Sequence, residues 1–385
     1  MTVDLLGEVP GTRRSYDSAW RRFETWCAAE GYHSFPAFPD TVARYVGEAA
    51  RKTTDGRYRY KSTTFGVWLA AIGDRHLRQR LPNPCTDPLV TALMAEIRER
   101  RAADGESARS TPPLLAAELR AVVTSIDEGA HGWVAQVAAR RDIALLVLGF
   151  SGALRTGELA RLEVRDVTTA ERLDEQWLAV RLCKPGAGRG DPDFVYLPRG
   201  NTSARWCPWC AYLRWLAVIA SYDMAVDRVV KREKERECDG AVVDWTTVAV
   251  TAADSGALAV TRLVRGGPAA PHEHVCHGPW PRVPQTTAPL FRSLRNGTPR
   301  EKQALTGGSI SRMLKRRATQ AGLDTATVAS LSARAIRAGA ATEAFARGAS
   351  LDEVMALTRH KSADAVRRYD RASSAATTAA ALLRL

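Results

Sequence analysis

A mainly α-helical chain in two parts, with a small β-hairpin or sheet in the second, is the fold class that three observations predict. The 385 residues exceed what one ordinary core accommodates, so two domains are expected. Apolar stripes at helical spacing fill the first hundred residues. Further on, two strand-like runs, 177–183 and 194–197, flank a glycine-rich stretch at 186–190 that makes a hairpin.

The stripes can be taken in order. Tyr16, Trp20, Phe23 and Cys27 recur at +4, +3 and +4, on a helix starting near Thr12. Arg13, Arg14, Arg21 and Arg22 fall largely off that face. Pro36 and Pro39 break the chain, and Val42, Tyr45, Val46 and Ala49 then form a second stripe. Phe65, Trp68, Leu69 and Ile72 form a third, and Val90, Leu93 and Ile97 a fourth. Four short helices with brief connections make a small all-α bundle. The polar, Pro-terminated stretch 99–113 reads as a linker, centred on 109–113.

The second part begins near Leu114 with helices up to Phe150, a glycine-containing turn and a short helix over 158–164. The two strands follow, then a helix around 212–219. Residues from about 226 to 285 lose clear periodicity and look like an insertion, and helical patterning resumes from Ser309 to the end. Ser350 and Glu353 form an S-x-x-E capping box that starts a helix ending near Thr358. Ser362 begins another, on which Val366 and Tyr369 share a face, leaving His360 in the tight connection between the two.

Composition narrows the function classes. The first ten residues carry no apolar signal region, and the longest apolar run, around 143–150, is too short to span a bilayer, so a cytoplasmic protein without a membrane partner is expected. Seven cysteines at mostly irregular spacing argue against a disulfide framework. The formal net charge of +13 favours a polyanionic partner, and nucleic acid is the default one.

Five short segments of the second part carry the chemistry. GFSGALRTGELARL places Arg155 just before a helix and Glu158 one turn later; LCKPGAGRG places Lys184 at the hairpin. LSARAIRAGAATEA contains Arg334 and Arg337, the latter opening an Arg-Ala-Gly turn. ALTRHKS contains His360, and VRRYD places Tyr369 nine residues after it. In this order and at these separations the motifs resemble the tyrosine recombinase (phage integrase) family, over nearly the whole chain. That resemblance implies a helical, SAM-like core-binding domain over 1–108 and a catalytic domain over 114–385. It implies a site-specific recombinase that cuts and rejoins duplex DNA through a 3′-phosphotyrosyl intermediate, with no cofactor and no required metal.

Phosphoryl transfer explains why such residues are wanted. Arginine guanidinia grip non-bridging phosphate oxygens bidentately, here Arg155 and Arg337. Ionising a phenol of pKa about 10 at neutral pH costs on the order of 4 kcal/mol. Cations around Tyr369 lower that cost. Lys184 would protonate the departing 5′ oxygen, His360 would bond the phosphate or position the tyrosine, and Glu158 would orient Arg155. Arg334 stands where the family usually has histidine; it keeps the charge but cannot shuttle a proton near neutral pH.

DNA contacts are expected from Arg13, Arg14, Arg57, Arg59 and Lys61, and from Arg312, Lys315 and Arg316. The last three lie in the stretch 290–320, which has eight Lys/Arg and one acid. Cys207-Pro-Trp-Cys210 has the spacing of half a zinc site, and His272, His274, Cys276 and His277 could supply the other half, His274 and Cys276 being the pair taken forward, with unlinked thiols as the plainer alternative. The resemblance further implies a tetramer on paired recognition sites, with room for an accessory factor that sets direction. Its tail, 372–385, would be an assembly element. Two alternatives share the residues: a type IB topoisomerase-like relaxing enzyme, and a DNA-binding accessory protein with a decayed site.

Overall fold

The computed structural model describes residues 10–105, 112–172, 174–182, 193–200, 203–266 and 273–370. The chain divides near Ser110 into two compact units. The first is four helices: α1 (Pro10–Glu30), α2 (Pro39–Ala49), α3 (Ser62–Arg78) and α4 (Pro88–Ala103). Phe23, Cys27, Val42, Val46, Phe65, Ile72, Val90 and Ile97, all from the four stripes, are fully buried in one core. Pro39 does not break the chain but opens α2 at its first turn, where a missing N–H costs nothing. Asp87 caps α4 by accepting from the Leu89 N–H at 2.9 Å.

One expectation fails here. The polar stretch assigned to the linker begins inside α4, which continues through Ala103. Its Arg101 is 1% exposed and donates to the carbonyl oxygens of Tyr60 and Ala50. One residue of the charged run therefore belongs to the core, where its guanidinium bonds two backbone carbonyls.

The second unit opens with α5 (Ala116–Glu128), α6 (Gly132–Ser151) and α7 (Thr156–Arg161). A three-stranded antiparallel sheet follows, in the order β1 (Val167–Arg172), β2 (Glu175–Leu182), β3 (Asp193–Leu197). Leu178, Val180 and Leu182 alternate onto the core, with Val180 paired to Val167 on one side and Val195 on the other. Strand β1 was not foreseen, since VTTAER is largely exposed and carries no apolar alternation. The glycine-rich stretch 186–190 lies outside the described residues.

The region expected to lack periodicity is helical. Helix α8 (Pro208–Cys238) runs 31 residues and α9 (Trp245–Arg265) returns along it, Gly256 meeting the ring of Tyr222. The far half of α8 is mostly charged and exposed, and the face that α9 buries, Val248, Ala252, Gly256, Val260 and Val264, is made of small residues, so the apolar signal in both is weak. Among the described residues α9 alone has the length and composition of a membrane span, and it lies here as one arm of a hairpin. The hairpin of β4 (Arg292–Arg295) and β5 (Thr298–Ala304) was also missed; Asn296 and Gly297, both at positive φ, form its turn. Arg292 is fully buried and grips Asp223 of α8 with two bonds of 2.6 and 2.8 Å.

The unit closes with α10 (Gly307–Gln320), α11 (Thr325–Ser330), α12 (Arg334–Ala346), α13 (Leu351–Thr358) and α14 (Ala363–Arg367). The expected Arg-Ala-Gly turn is instead the interior of α12. Its Gly339 serves close approach: a Cβ there would lie 1.8 Å from the carbonyl oxygen of Leu114. The neighbouring Leu114 N–H donates to the Ala335 carbonyl at 2.9 Å, which fixes that crossing. Gly339→Ala should therefore destabilise the chain by about 3 kcal/mol or more, because backbone rather than a side chain must move. A denaturant melt within 1 kcal/mol (about a fivefold change in the folding constant) of the parent would contradict this crossing.

Candidate active site

Four separated segments converge beside α12 in the second unit. The first is the turn leading into α7. Arg155 occupies the N-cap of α7, and the carboxylate of Glu158 accepts from its backbone N–H and from its guanidinium, each at 2.6 Å. Leu159, fully buried, pins this six-residue helix to the core, with Gly149 of α6 leaving room for it. The second segment is α12. It carries Arg334, exposed at its first residue, and Arg337, buried with 7% exposure one turn later.

The third is the connection from α13 to α14. The expected capping box is present: Ser350 accepts from the Glu353 N–H, and Glu353 accepts from the Ser350 N–H at 2.7 Å. The helix ends where Arg359 turns left-handed, at φ 54°. That turn delivers His360, whose Nδ1 lies 2.7 Å from the Thr358 hydroxyl. The fourth segment carries Tyr369, and here the expectation shifts by a few residues. Helix α14 stops at Arg367, so Tyr369 sits in the turn beyond it, its N–H still bonded to the Val366 carbonyl at 2.8 Å. Half-buried, Tyr369 packs against the Ala341, Val354 and Val366 cluster, its ring 6.1 Å from that of His360.

The cations are braced from behind. Arg337 donates to the Ala153 carbonyl at 2.7 Å and to the Thr358 carbonyl, tying the α7 turn to the His360 connection. Arg155 donates to the Arg359 carbonyl at 2.8 Å. These bonds use two of the five N–H donors of each fork and leave the others for a ligand. Arg359, which the sequence did not single out, is the shared brace: it donates to Glu158 at 2.9 Å and to the carbonyls of Gly152 and Ala153 at 3.2 Å. An arginine beside a motif histidine gives no signal in sequence, because its partners are backbone carbonyls 200 residues away.

Electrostatics follow from this crowding. Burial and the nearby Arg155 and Arg359 charges pull Arg337 down to about 10. Burial opposes ionisation of Glu158, yet hydrogen bonds from Arg155 and the Arg359 charge hold it below the usual carboxylate range. Burial, then the charges of Arg337, Arg155, Arg368 and Arg359, lower His360 from 6.5 to about 4. The imidazole is thus neutral near neutral pH. Its tautomer follows as well: the Thr358 hydroxyl donates to the Val354 carbonyl at 2.7 Å, so its oxygen accepts from Nδ1–H. The Nε2 lone pair is left as an acceptor.

That shift makes a pH prediction. A histidine depressed in the folded state binds its proton preferentially when unfolded, so its contribution is complete above pH 6.5 and falls away towards pH 4. Thermal melts should show stability declining across that window, and His360→Gln should flatten the slope. Equal slopes in both proteins would contradict a neutral His360.

No family model matches the chain. Over 164 residues it is 29% identical to an integrase/recombinase xerD homolog of Selenomonas ruminantium, covering 42% of this chain and 43% of that one. The resemblance to tyrosine recombinases carried by the motifs is borne out. The chain spans less than half the length of that curated relative in the match. Among solved structures, a XerA recombinase aligns with 96% of this chain and 89% of its own, at 13% identity and a TM-score of 0.33. A lambda integrase dimer bound to a COC′ core site aligns with 97% and 92%, at 12% identity and 0.44.

The remaining candidates divide. Lys184 lies outside the described residues, as does the tail 372–385. In the first unit Arg13, Arg14, Arg57, Arg59 and Lys61 are exposed, whereas the aromatics between the last three turn inward. Tyr58 covers the Arg101 guanidinium at 4.1 Å and Tyr60 packs on Trp68 at 4.9 Å. In the second unit Arg312 and Arg316 are exposed on α10. The basic density of 290–320 is only partly a surface property. Lys315 donates to the Ala329 carbonyl at 2.6 Å, Arg317 bonds Asp142, and Arg292 is the buried partner of Asp223. The candidate metal set, Cys207, Cys210, His274 and Cys276, is brought together, with all four ligand atoms within 4.8 Å of one another.

Proposed function

We propose that the chain is a site-specific DNA recombinase that cleaves duplex DNA with Tyr369, forming a 3′-phosphotyrosyl link and releasing a 5′ hydroxyl. The observation that carries this is the convergence of Arg155, Arg337, His360 and Tyr369 from four separated segments around one cationic pocket. Arg155 and the remaining donors of Arg337 face the scissile phosphate and offset the charge gained in its transition state. Neutral His360, with Nε2 as acceptor and its ring 6.1 Å from that of Tyr369, takes the phenolic proton in this scheme. Entry of a phosphate would offset the arginine charges and raise the proton affinity of His360 as the reaction needs it. Lys184 is the general acid for the leaving oxygen. The reaction stores the phosphodiester energy in the tyrosyl ester, so it draws on neither ATP nor a metal ion. Paired recognition sites and four strand cuts call for four protomers, each supplying one Tyr369.

Arg334, exposed at the start of α12 one turn from Arg337, acts in this scheme as a cation alone. Arg334→Lys should keep most cleavage, Arg334→Ala should lose roughly 2–4 kcal/mol of transition-state stabilisation, and Arg334→His should match the parent. Single-turnover cleavage rates indifferent to all three changes would place Arg334 outside the site.

The function itself is tested by incubating the protein with genomic fragments and sequencing the DNA that becomes covalently attached. Attached ends should share one inverted-repeat sequence. Attachment spread over unrelated sequences would instead mark a relaxing enzyme, and no attachment would mark a DNA-binding protein without cleavage.

A further inference from the structure

We propose that Cys207, Cys210, His274 and Cys276 bind one zinc ion whose role is structural, closing the long excursion through α8 and α9. The four donors come from two ends of that excursion, Cys210 and His274 standing 64 positions apart. His274 Nδ1 lies 3.5 Å from the sulfurs of both Cys210 and Cys276. A tetrahedral zinc with sulfur at about 2.3 Å and nitrogen at about 2.0 Å sets sulfur–nitrogen edges of about 3.5 Å, so the donors already stand near the required spacing. Three thiolates and one imidazole, with no carboxylate, select zinc over magnesium or calcium.

The surroundings suit a closed site. All three cysteines are buried. Cys207 is the N-cap of α8 and Cys210 lies in its first turn, so the spacing of these two donors is fixed by the helix start. The Gly200 N–H donates to Cys207 Sγ at 3.2 Å, and a Cβ at Gly200 would come within 2.9 Å of the Cys207 Cα, so the backbone approach depends on glycine. Trp280 packs against Trp209 at 6.2 Å and Tyr212 at 5.4 Å, which holds the segment after His274 onto α8. Four protein donors fill the coordination sphere, leaving no position for a substrate. Binding releases the three thiol protons.

The proposal stands apart from the recombinase assignment, and its test does not use cleavage. Metal analysis of the purified full-length protein should find one zinc per chain. Cobalt in its place should give the sulfur-to-cobalt charge-transfer absorption of thiolate ligation. Chelation should lower the melting temperature by about 5 °C or more, and added zinc should restore it. His274→Cys should keep one zinc, His277→Ala should be unaffected, and Cys276→Ser should lose it. The proposal is overturned if the protein purifies without zinc and takes none up, or if alkylation under denaturing conditions shows Cys207 and Cys210 joined as a disulfide.

Discussion

Tyr369→Phe is expected to abolish covalent capture of DNA while leaving DNA affinity unchanged. The substitution removes one oxygen from a half-buried ring that packs on Ala341, Val354 and Val366. That packing needs the ring and not the hydroxyl, so the fold should tolerate the change. A nicked substrate that traps the cleaved intermediate should give a protein–DNA adduct with the parent chain and none with the variant. Equal trapping by both would remove Tyr369 from the reaction.

The second large effect belongs to Arg337, and it should be double. Its guanidinium is 7% exposed and joins two carbonyls, Ala153 in the α7 turn and Thr358 beside His360. Arg337→Ala takes the donor from the Thr358 carbonyl, leaves the Ala153 carbonyl only its longer bond from Arg359, and opens a cavity, a loss of about 2–4 kcal/mol of stability. It also removes a cation from the pocket, which should slow single-turnover cleavage by about a hundredfold or more. Arg337→Lys separates the two roles. A point charge on a flexible stem cannot span both carbonyls, so stability should recover only in part and cleavage should stay slow. Parent-like melting and cleavage in Arg337→Ala would show that this arginine neither braces the turn nor meets the phosphate.

The legible parts of this fold were those with strong periodicity or a local code. Phe23, Phe65 and Ile97 lay on helical stripes and are core residues, and the Ser350–Glu353 box marked the start of α13 to the residue. Order and spacing of the motifs brought Arg155, Arg337, His360 and Tyr369 to notice, and the structure brings them together. What stayed hidden depended on partners distant in sequence. Arg292 and Arg101 looked like surface charge and are buried, because Asp223 and two carbonyls wait for them. Gly339 looked like a turn residue and is a contact with Leu114, a chain crossing that no local pattern encodes. The far half of α8 is mostly charged and exposed, and α9 packs through small side chains such as Ala252 and Gly256, so neither stretch carried a strong stripe.

The central claim is that Tyr369 carries the DNA. Protease digestion of the trapped adduct, nuclease trimming of its DNA, and mass spectrometry of the residue left attached would test it directly. Cleavage after Arg368 and Arg371 isolates the peptide Tyr-Asp-Arg, and its mass should rise by that of a 3′-phosphonucleotide esterified to the phenol. The same nucleotide on any other residue, or joined through its 5′ phosphate, would contradict the mechanism.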